Sequence, residues 1–296
     1  MYEIVERRQL VPDHHLLTIH APHVANKVQP GQFVILRGDE DGERVPLSVA
    51  DFDREAGTVT SVFLEAGAST MKLARLETGG TIPTYMGPLG KASEVEPCGT
   101  VVLMGGCYGI GALYPIARAH KAVGNRVISI LEAHTQWLLY WADRHQAIAD
   151  EVYLMTSDGT AGERGLSFDK LTALLDGGLQ PGLVYAIGCT FLMSSAAQLA
   201  EERDLNLKVA LNTVMVDGTG MCGGCRCSAG GEPKFACVDG PEFDGRAVDW
   251  EGLMARRRAY RPQELATMRR LDSSGRLADG GKLASSKPSG KEPNHG

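Results

Sequence analysis

The 296-residue sequence predicts three consecutive units: a β-barrel, a doubly wound α/β domain and a small cysteine-rich module. Three observations lead to this fold class. Short β-rich segments fill residues 1–98, strand and helix patterns alternate over 99–205, and four of the seven cysteines crowd into the third unit, 206–260. A chain of this length is expected to form two or three domains, each with its own core. The Ser, Gly, Lys and Pro content of 261–296 predicts a largely disordered tail.

The first unit has the pattern of a small barrel or sandwich. Apolar and β-branched residues cluster or alternate in four segments: 2–10, 16–20, 32–37 and 58–65. Glycine-containing turns separate these segments, and one short helix is expected over 69–76. Many short strands with little helix favour a closed or two-layered antiparallel sheet.

The second unit alternates strands with helices. Apolar runs suited to a buried parallel sheet lie at 101–104, 127–131, 152–155 and 183–187. Helical patterns follow at 112–123, 137–148, 168–175 and 191–203. Such a domain binds its ligands at the carboxyl ends of the strands.

A glycine-rich turn stands between the first strand and first helix of this unit. Its candidate nucleotide-binding residues are Gly105, Gly106, Gly109 and Gly111. Glycines there let a pyrophosphate approach the backbone, and the helix N-terminus offers N–H donors. The spacing differs from the Rossmann G-x-G-x-x-G pattern, so a plain strand–helix turn is the alternative. The α/β context favours the nucleotide.

A second loop is expected at the same edge of the sheet. It contains Gly188 and Cys189 and would border a nicotinamide, although Cys189 also fits a packed free thiol. Two residues bear on the choice of nucleotide. Glu132 follows the second strand, and a carboxylate there repels a 2′-phosphate and favours NAD(H). Arg164 would instead favour NADP(H), and we favour NAD(H).

The barrel carries a candidate flavin site. Arg44 stands close to the hydroxyl of Ser48, a pair that can hold a flavin diphosphate; a plain surface arginine is the alternative. Gly67, Ser69 and Thr70 open the one helix predicted in the barrel, and its N-terminus is expected to face the same diphosphate.

The cysteine-rich module carries the most specific pattern in the chain. Cys222 and Cys225 are separated by two residues, Cys227 follows, and Cys237 comes after a connection long enough for a hairpin. Two cysteines at that spacing can bind one iron or zinc from a tight loop, and neighbouring glycines can aim N–H groups at sulfur. The pattern indicates an iron–sulfur or metal site. A structural zinc site built from all four cysteines is the alternative.

Three stretches together resemble a known family. They are RVPLSVADFD, the glycine loop before LYPIAR, and VMVDGTGMCGGC with KFACVDGPEFDG. They are similar to flavin reductase subunits of the ferredoxin–NADP reductase superfamily, above all those of dihydroorotate dehydrogenase and of NADH-dependent ferredoxin–NADP oxidoreductase. The resemblance covers residues 1–258. It implies FAD on the barrel, NAD(H) on the α/β domain and one [2Fe-2S] cluster on the C-terminal module.

The resemblance also assigns residues. It implies that the flavin lies along one set from the barrel: Arg44, Pro46, Leu47, Ser48, Val62, Phe63, Leu64, Ser69 and Thr70. For the cluster it implies three thiolate ligands and, where four-cysteine relatives carry another cysteine, a carboxylate: Cys222, Cys225, Cys237 and Asp217. Cys227 remains the competing fourth ligand. A carboxylate is a harder ligand than a thiolate and should change the cluster potential.

Composition and resemblance together predict the setting. The net charge of −6 argues against a nucleic-acid surface, and no apolar run approaches the ~20 residues that cross a bilayer. An odd, clustered set of cysteines argues for metal binding in a reducing cytoplasm rather than for disulfides.

The resemblance implies a hetero-oligomer in which electrons pass between NAD(H) and a larger catalytic flavoprotein or iron–sulfur subunit. An electron-bifurcating transhydrogenase is one setting. A dihydroorotate dehydrogenase complex and a non-catalytic zinc-knuckle scaffold are the alternatives.

Overall fold

A computed structural model describes residues 1–40 and 42–269 of the chain. The first unit contains two short helices, α1 (Pro22–Ala25) and α2 (Ala68–Leu73). Its strands are β1 (Tyr2–Val11), β2 (His14–His20), β3 (Phe33–Arg37), β4 (Val45–Asp53), β5 (Thr58–Leu64), β6 (Thr81–Ile82) and β7 (Thr84–Leu89).

These seven strands form one antiparallel sheet in the order β6-β1-β2-β5-β4-β3-β7, which curls into a near-closed barrel. Its core buries Ile4, Leu17, Val34 and Phe63. The predicted barrel is therefore confirmed. Because β4 and β5 pair directly, the two strand segments expected along the flavin lie on neighbouring strands.

The second unit is a parallel sheet with helices packed against it, as predicted. Its helices are α3 (Gly109–Ala122), α4 (Ala142–Gln146), α5 (Ser167–Asp176) and α6 (Thr190–Arg203). Its strands are β8 (Thr100–Gly106), β9 (Arg126–Ala133), β10 (Glu151–Thr156), β11 (Glu163–Arg164), β12 (Leu183–Ile187) and β13 (Leu207–Ala210). They are ordered β11-β10-β9-β8-β12-β13, and the sheet extends past the boundary that we placed at 205.

One helix is much shorter than predicted. The pattern at 137–148 indicated a helix throughout, but α4 covers only its centre, and a 3-10 turn (Gln136–Leu138) precedes it. Trp141 adopts a left-handed backbone with φ +54°, which stops a right-handed helix. Tyr140 and Trp141 instead pack into an apolar cluster that also contains Leu16 and Val62 of the barrel.

Ion pairs surround this contact between barrel and α/β domain. Asp51 of β4 accepts hydrogen bonds from Arg118 at 2.8 Å and from Arg144 at 3.2 Å. Both arginines are partly exposed, so each pair should contribute about 1 kcal/mol or less. The apolar cluster is one contact between the nucleotide domain and the barrel; a second buried cluster joins Phe33 and Ile35 of β3 to Val102 and Met104 of β8.

The C-terminal module consists of a hairpin, one strand and two helices: β14 (Arg226–Ala229), β15 (Glu232–Phe235), β16 (Glu242–Asp244), α7 (Trp250–Arg258) and α8 (Arg261–Met268). Strand β16 pairs antiparallel with β13 and so joins the module to the large sheet. Helix α8 occupies the start of the segment predicted as a tail, and residues 270–296 lie outside the described part. Within the described part, no helix is long and apolar enough to cross a membrane.

Candidate functional site

The glycine loop after β8 brings two strand ends into contact. A methyl group at Gly109 would overlap the carbonyl oxygen of Ile187, and one at Gly188 would lie 2.8 Å from the carbonyl oxygen of Gly106. Only glycine permits this approach of the loops that follow β8 and β12. The predicted nucleotide-binding glycines therefore lie together at the carboxyl edge of the sheet.

Gly111 has a second role that the sequence did not indicate. Its N–H donates to the hydroxyl of Tyr140 at 3.1 Å, and that hydroxyl donates to the carbonyl of Cys107 at 2.8 Å. A methyl group at Gly111 would meet Val62 of the barrel at 3.0 Å. Gly111 thus lets α3 approach the barrel, while its N–H is engaged by Tyr140. No motif points to Tyr140, because the contact is long-range.

Two cysteines lie at this edge. Cys107 adopts a left-handed backbone with φ +52°, and burial raises the pKa of its thiol to about 11, which keeps the thiol protonated at neutral pH. Cys189 is exposed and caps α6, where its sulfur accepts the N–H of Leu192 at 3.4 Å. The Cys189 thiol thus lies in the loop after β12, at the N-terminus of α6.

The residues that bear on nucleotide choice lie further along the same edge. The Glu132 carboxylate at the end of β9 accepts the N–H of Ser167 at 2.7 Å and so caps the N-terminus of α5. His134 and Ser157 are joined through Nδ1 and Oγ at 2.7 Å. Arg164 is exposed on β11. The Glu132 carboxylate at β9 and the Arg164 guanidinium at β11 therefore lie at the same carboxyl edge of the large sheet.

The candidate flavin residues lie on and just before β4, on β5 and at the start of α2. Arg44 is exposed just before β4, Leu47 and Val62 are buried, and Ser48 is half-buried. Thr70 accepts the N–H groups of Ala66 and Gly67 at 2.9 and 3.1 Å and so shapes the start of α2. Of the two polar side chains expected at the diphosphate, the Ser69 hydroxyl donates to Glu43 at 2.8 Å, and the Arg44 guanidinium is exposed to solvent.

A small cleft of about 120 Å³ lies beside these residues, bounded by the connection before β4, by α2 and by Thr267 of α8. Ser69 and Lys72 line it together with two carboxylates, Asp39 and Glu43. Lys72 pairs with Asp39 at 3.4 Å and Ser69 donates to Glu43, so an anion that enters the cleft has to replace these carboxylates as the acceptor.

The cysteine loop holds its candidate ligands at different depths. Cys225 and Cys237 are buried with their sulfurs 3.2 Å apart, whereas Asp217 is half-buried and Cys222 is exposed. The last two residues are joined through the Cys222 N–H and the Asp217 carboxylate at 2.8 Å. Within the part of the chain that the structure describes, no three His, Cys, Asp or Glu side chains are grouped to hold a metal ion.

Electrostatics and topology separate the candidate ligands. Backbone N–H groups of Thr219 and Cys222 hold the pKa of Asp217 below its usual value. Burial and the neighbouring Cys225 raise the pKa of Cys237 to about 12, so a metal must displace its proton to bind the thiolate. Cys227 lies in β14, and its sulfur faces the carbonyl of Lys234 at 3.7 Å inside the hairpin. A thiol pair beside a loop that holds a carboxylate and a further thiol fits an iron–sulfur cluster.

Known proteins match the chain over the same features. A family model described as the iron–sulfur cluster binding domain of dihydroorotate dehydrogenase B matches residues 212–249. A Thermotoga maritima protein described as a homolog of the electron transfer subunit of dihydroorotate dehydrogenase B (NAD(+)) is 42% identical, covering 91% of this chain and 95% of the relative. An uncharacterized Clostridium beijerinckii protein is 36% identical over 95% of this chain and 98% of its own length.

Solved structures agree. A structure of the NADH-dependent reduced ferredoxin-NADP oxidoreductase, studied for flavin-based electron bifurcation, has a TM-score of 0.85 and 41% identity, covering 90% of this chain and 95% of that one. Phthalate dioxygenase reductase, at 12% identity and TM-score 0.53, covers 77% of this chain and 85% of that one and shares the fold alone. The resemblance inferred from the sequence is confirmed, and the chain belongs to the family of dihydroorotate dehydrogenase B electron transfer subunits and their homologs.

Proposed function

We propose that this chain passes electrons between NAD(H) and a larger partner subunit, using FAD in the barrel and a [2Fe-2S] cluster in the C-terminal module. The observation that carries the proposal is the match of the cysteine loop to a cluster-binding domain, in a chain whose family consists of electron transfer subunits. Bound FAD and cluster would supply the conversion between two-electron hydride transfer and one-electron transfer. The protein binds, orients and separates these groups.

In the barrel, Arg44 and Ser69 would hold the FAD diphosphate, and Thr70 supports the turn that presents Ser69. The strand segments Pro46–Ser48 and Val62–Leu64 would line the flavin ring, with Gly67 leaving room at the start of α2. A methyl group at Gly67 would meet no atom within 4 Å, which leaves that approach open.

On the α/β domain, the paired loops at Gly106 and Gly188 would receive the nicotinamide half of the nucleotide. For the adenosine half we propose NAD(H) over NADP(H). Support comes from Glu132, whose carboxylate stands at the end of β9, where it disfavours a 2′-phosphate. Arg164 at the same edge is the residue that would favour NADP(H) instead.

In the C-terminal module, Cys222, Cys225, Cys237 and Asp217 would bind the cluster. The side chains around the loop suit contact with another protein. Val216, Met221 and Val238 are exposed by 50%, 88% and 40%, and Val216 and Val238 flank the glycines of the loop. Apolar side chains grouped beside a redox centre favour docking of a partner close enough to receive electrons. A larger catalytic flavoprotein or iron–sulfur subunit is the proposed partner.

Two settings remain for the complex. The relative described as a ferredoxin-NADP oxidoreductase, with its bifurcating chemistry, favours a transhydrogenase-type assembly. The names of several relatives favour a dihydroorotate dehydrogenase complex. Asp217 supports the first setting, because the resemblance places aspartate at this position in the transhydrogenase-type subunits and cysteine in the dihydroorotate type.

The test is spectroscopic and kinetic. We expect anaerobically reconstituted protein to show flavin and [2Fe-2S] absorption, to contain FAD, iron and sulfide, and to reduce an artificial acceptor with NADH in preference to NADPH. Addition of the co-expressed partner should redirect electrons to it. A colourless protein that binds zinc and no flavin after reconstitution would establish the zinc-knuckle scaffold and refute the proposal.

A further inference from the structure

A chain of hydrogen bonds links the C-terminal module to the nucleotide edge. Arg257 of α7 donates to the hydroxyl of Thr190, which donates to Asn212 Oδ1 at 3.3 Å. Asn212 Nδ2 donates to the Tyr108 hydroxyl at 2.9 Å, and that hydroxyl donates to the carbonyl of Gly188 at 2.7 Å. The chain thus runs from a helix of the third unit to a loop of the second.

The direction of this chain is set at its cationic end. A guanidinium can only donate, so it occupies a lone pair of Thr190 and leaves the Thr190 proton for Asn212 Oδ1. The amide is then oriented with Nδ2 toward Tyr108, and the phenol proton goes to Gly188. Burial raises the pKa of Tyr108 to about 12, so the phenol stays a donor at neutral pH.

The far end of the chain lies in the proposed nicotinamide site. Gly188 and Thr190 flank Cys189, and a methyl group at Gly188 would lie 2.8 Å from the carbonyl oxygen of Gly106. Any displacement of the loop after β12 would therefore also disturb the loop after β8. The neighbouring Arg256 donates to the carbonyl of Gly224 at 3.3 Å, so α7 contacts the cysteine loop as well.

We propose that Arg257 is a positioning residue that, through Thr190, Asn212 and Tyr108, holds the loop at Gly188–Thr190 in the conformation that receives the nicotinamide nucleotide. The C-terminal module then controls nucleotide affinity as well as carrying the cluster ligands. This inference rests on the proposed NAD(H) site.

The test is an NADH titration of the FAD- and cluster-loaded protein, monitored by protein fluorescence. Loss of a charged hydrogen bond should raise the Kd of Arg257→Gln about tenfold. Arg257→Lys should recover part of the affinity. Arg258→Gln is the matched control, because it removes the same charge from the same helix, and among described residues Arg258 has no ion pair or side-chain hydrogen bond. Its Kd should stay within about twofold of wild type.

A second variant tests whether Arg257 acts on Gly188 through Tyr108. Tyr108→Phe removes the shorter of the two hydrogen bonds to the Gly188 carbonyl, at 2.7 Å, and leaves the 3.4 Å bond from Asn212 Nδ2 and helix α7 in place. It should also weaken NADH binding. Because both groups act through one chain, the double variant should bind NADH more tightly than the product of the two single effects predicts. FAD and iron contents equal to wild type in each variant separate positioning from loss of fold.

Three outcomes overturn this inference: an unchanged Kd in Arg257→Gln, an equal loss in Arg258→Gln, or single effects that multiply in the double variant. Each leaves the proposed function standing, because the wild-type protein still binds NADH. A wild-type protein that binds neither NADH nor NADPH would refute the proposed nucleotide site and this inference with it.

Discussion

The nucleotide edge and the cysteine loop are built in opposite ways. At the nucleotide edge, glycines bring two loops into contact, and side chains such as Tyr108, Tyr140 and Asn212 hold them by hydrogen bonds. In the cysteine loop, two thiols are buried together, while Asp217 is half-buried and Cys222 is exposed. Glycine contacts and hydrogen bonds therefore hold both loops of the nucleotide edge, whereas burial brings together only one pair of the candidate cluster ligands.

The largest expected effect is loss of the cluster from the cysteine loop, with the nucleotide edge unchanged. Asp217→Ala should lose or destabilise the cluster, whereas Asp217→Cys should keep it at a lower potential, because thiolate donates more charge to iron. Cys227→Ala is the control, since its sulfur faces Lys234 inside the hairpin. Iron and sulfide contents and a redox titration followed by electron paramagnetic resonance measure the effect.

NADH affinity should stay close to wild type in all three variants, because the nucleotide edge is held without the metal. A stable cluster in Asp217→Ala together with its loss in Cys227→Ala would assign the fourth ligand to Cys227. It would also weaken the case for the transhydrogenase-type setting.

A smaller effect is expected from a substitution that separates the two loops of the nucleotide edge. In Gly109→Ala the added methyl overlaps the carbonyl oxygen of Ile187, a backbone atom that cannot rotate away. We expect a loss of about 3 kcal/mol or more in the free energy of unfolding, with loss of NADH binding. Gly177→Ala is the control, because Gly177 at the end of α5 has φ −75° and a methyl there meets its nearest neighbour at 3.3 Å.

Urea denaturation of the two glycine variants, followed by circular dichroism, measures the difference. Equal stabilities would show that the loops after β8 and β12 can separate, and that the nucleotide edge is as pliable as the cysteine loop.

The same contrast explains what the sequence could predict. Strand and helix periodicity located the barrel, the parallel sheet and most elements, because each pattern is local. The glycine and cysteine motifs predicted both candidate sites for the same reason. The sequence could not show that α4 stops at a left-handed Trp141, nor that Tyr140 engages Gly111, since both depend on packing between units.

The reach of Arg257 to Thr190 was equally hidden, although the arginine run itself was visible. These residues are 67 positions apart in the sequence, and their elements meet because the C-terminal module packs on the large sheet, in part through the pairing of β13 with β16. Residues that build a site through tertiary contacts leave no pattern in a single sequence.

The smallest expected effect lies at the junction of the two regions. Glu242 stands on β16, the strand that joins the C-terminal module to the large sheet, and accepts a hydrogen bond from Ser93 at 2.6 Å. Burial raises the pKa of Glu242 to about 7. The folded protein therefore binds this proton more tightly than the unfolded chain does. Its contribution to stability is complete below the ordinary carboxyl pKa of 4.5 and falls as the pH rises through 7.

A shift of this size corresponds to at most about 3 kcal/mol, and partial exposure of Glu242 should reduce it to about 1–2 kcal/mol. Glu242→Gln keeps an acceptor for Ser93 and cannot ionise. The variant should be more stable than wild type at pH 8 and similar at pH 5, as measured by urea denaturation at each pH. Glu94→Gln is the control, because Glu94 pairs with Lys208 nearby but is 80% exposed. If the difference between Glu242→Gln and wild type were the same at both pH values, Glu242 would be ionised in the folded protein throughout, and the junction would be as open to solvent as the cysteine loop it supports.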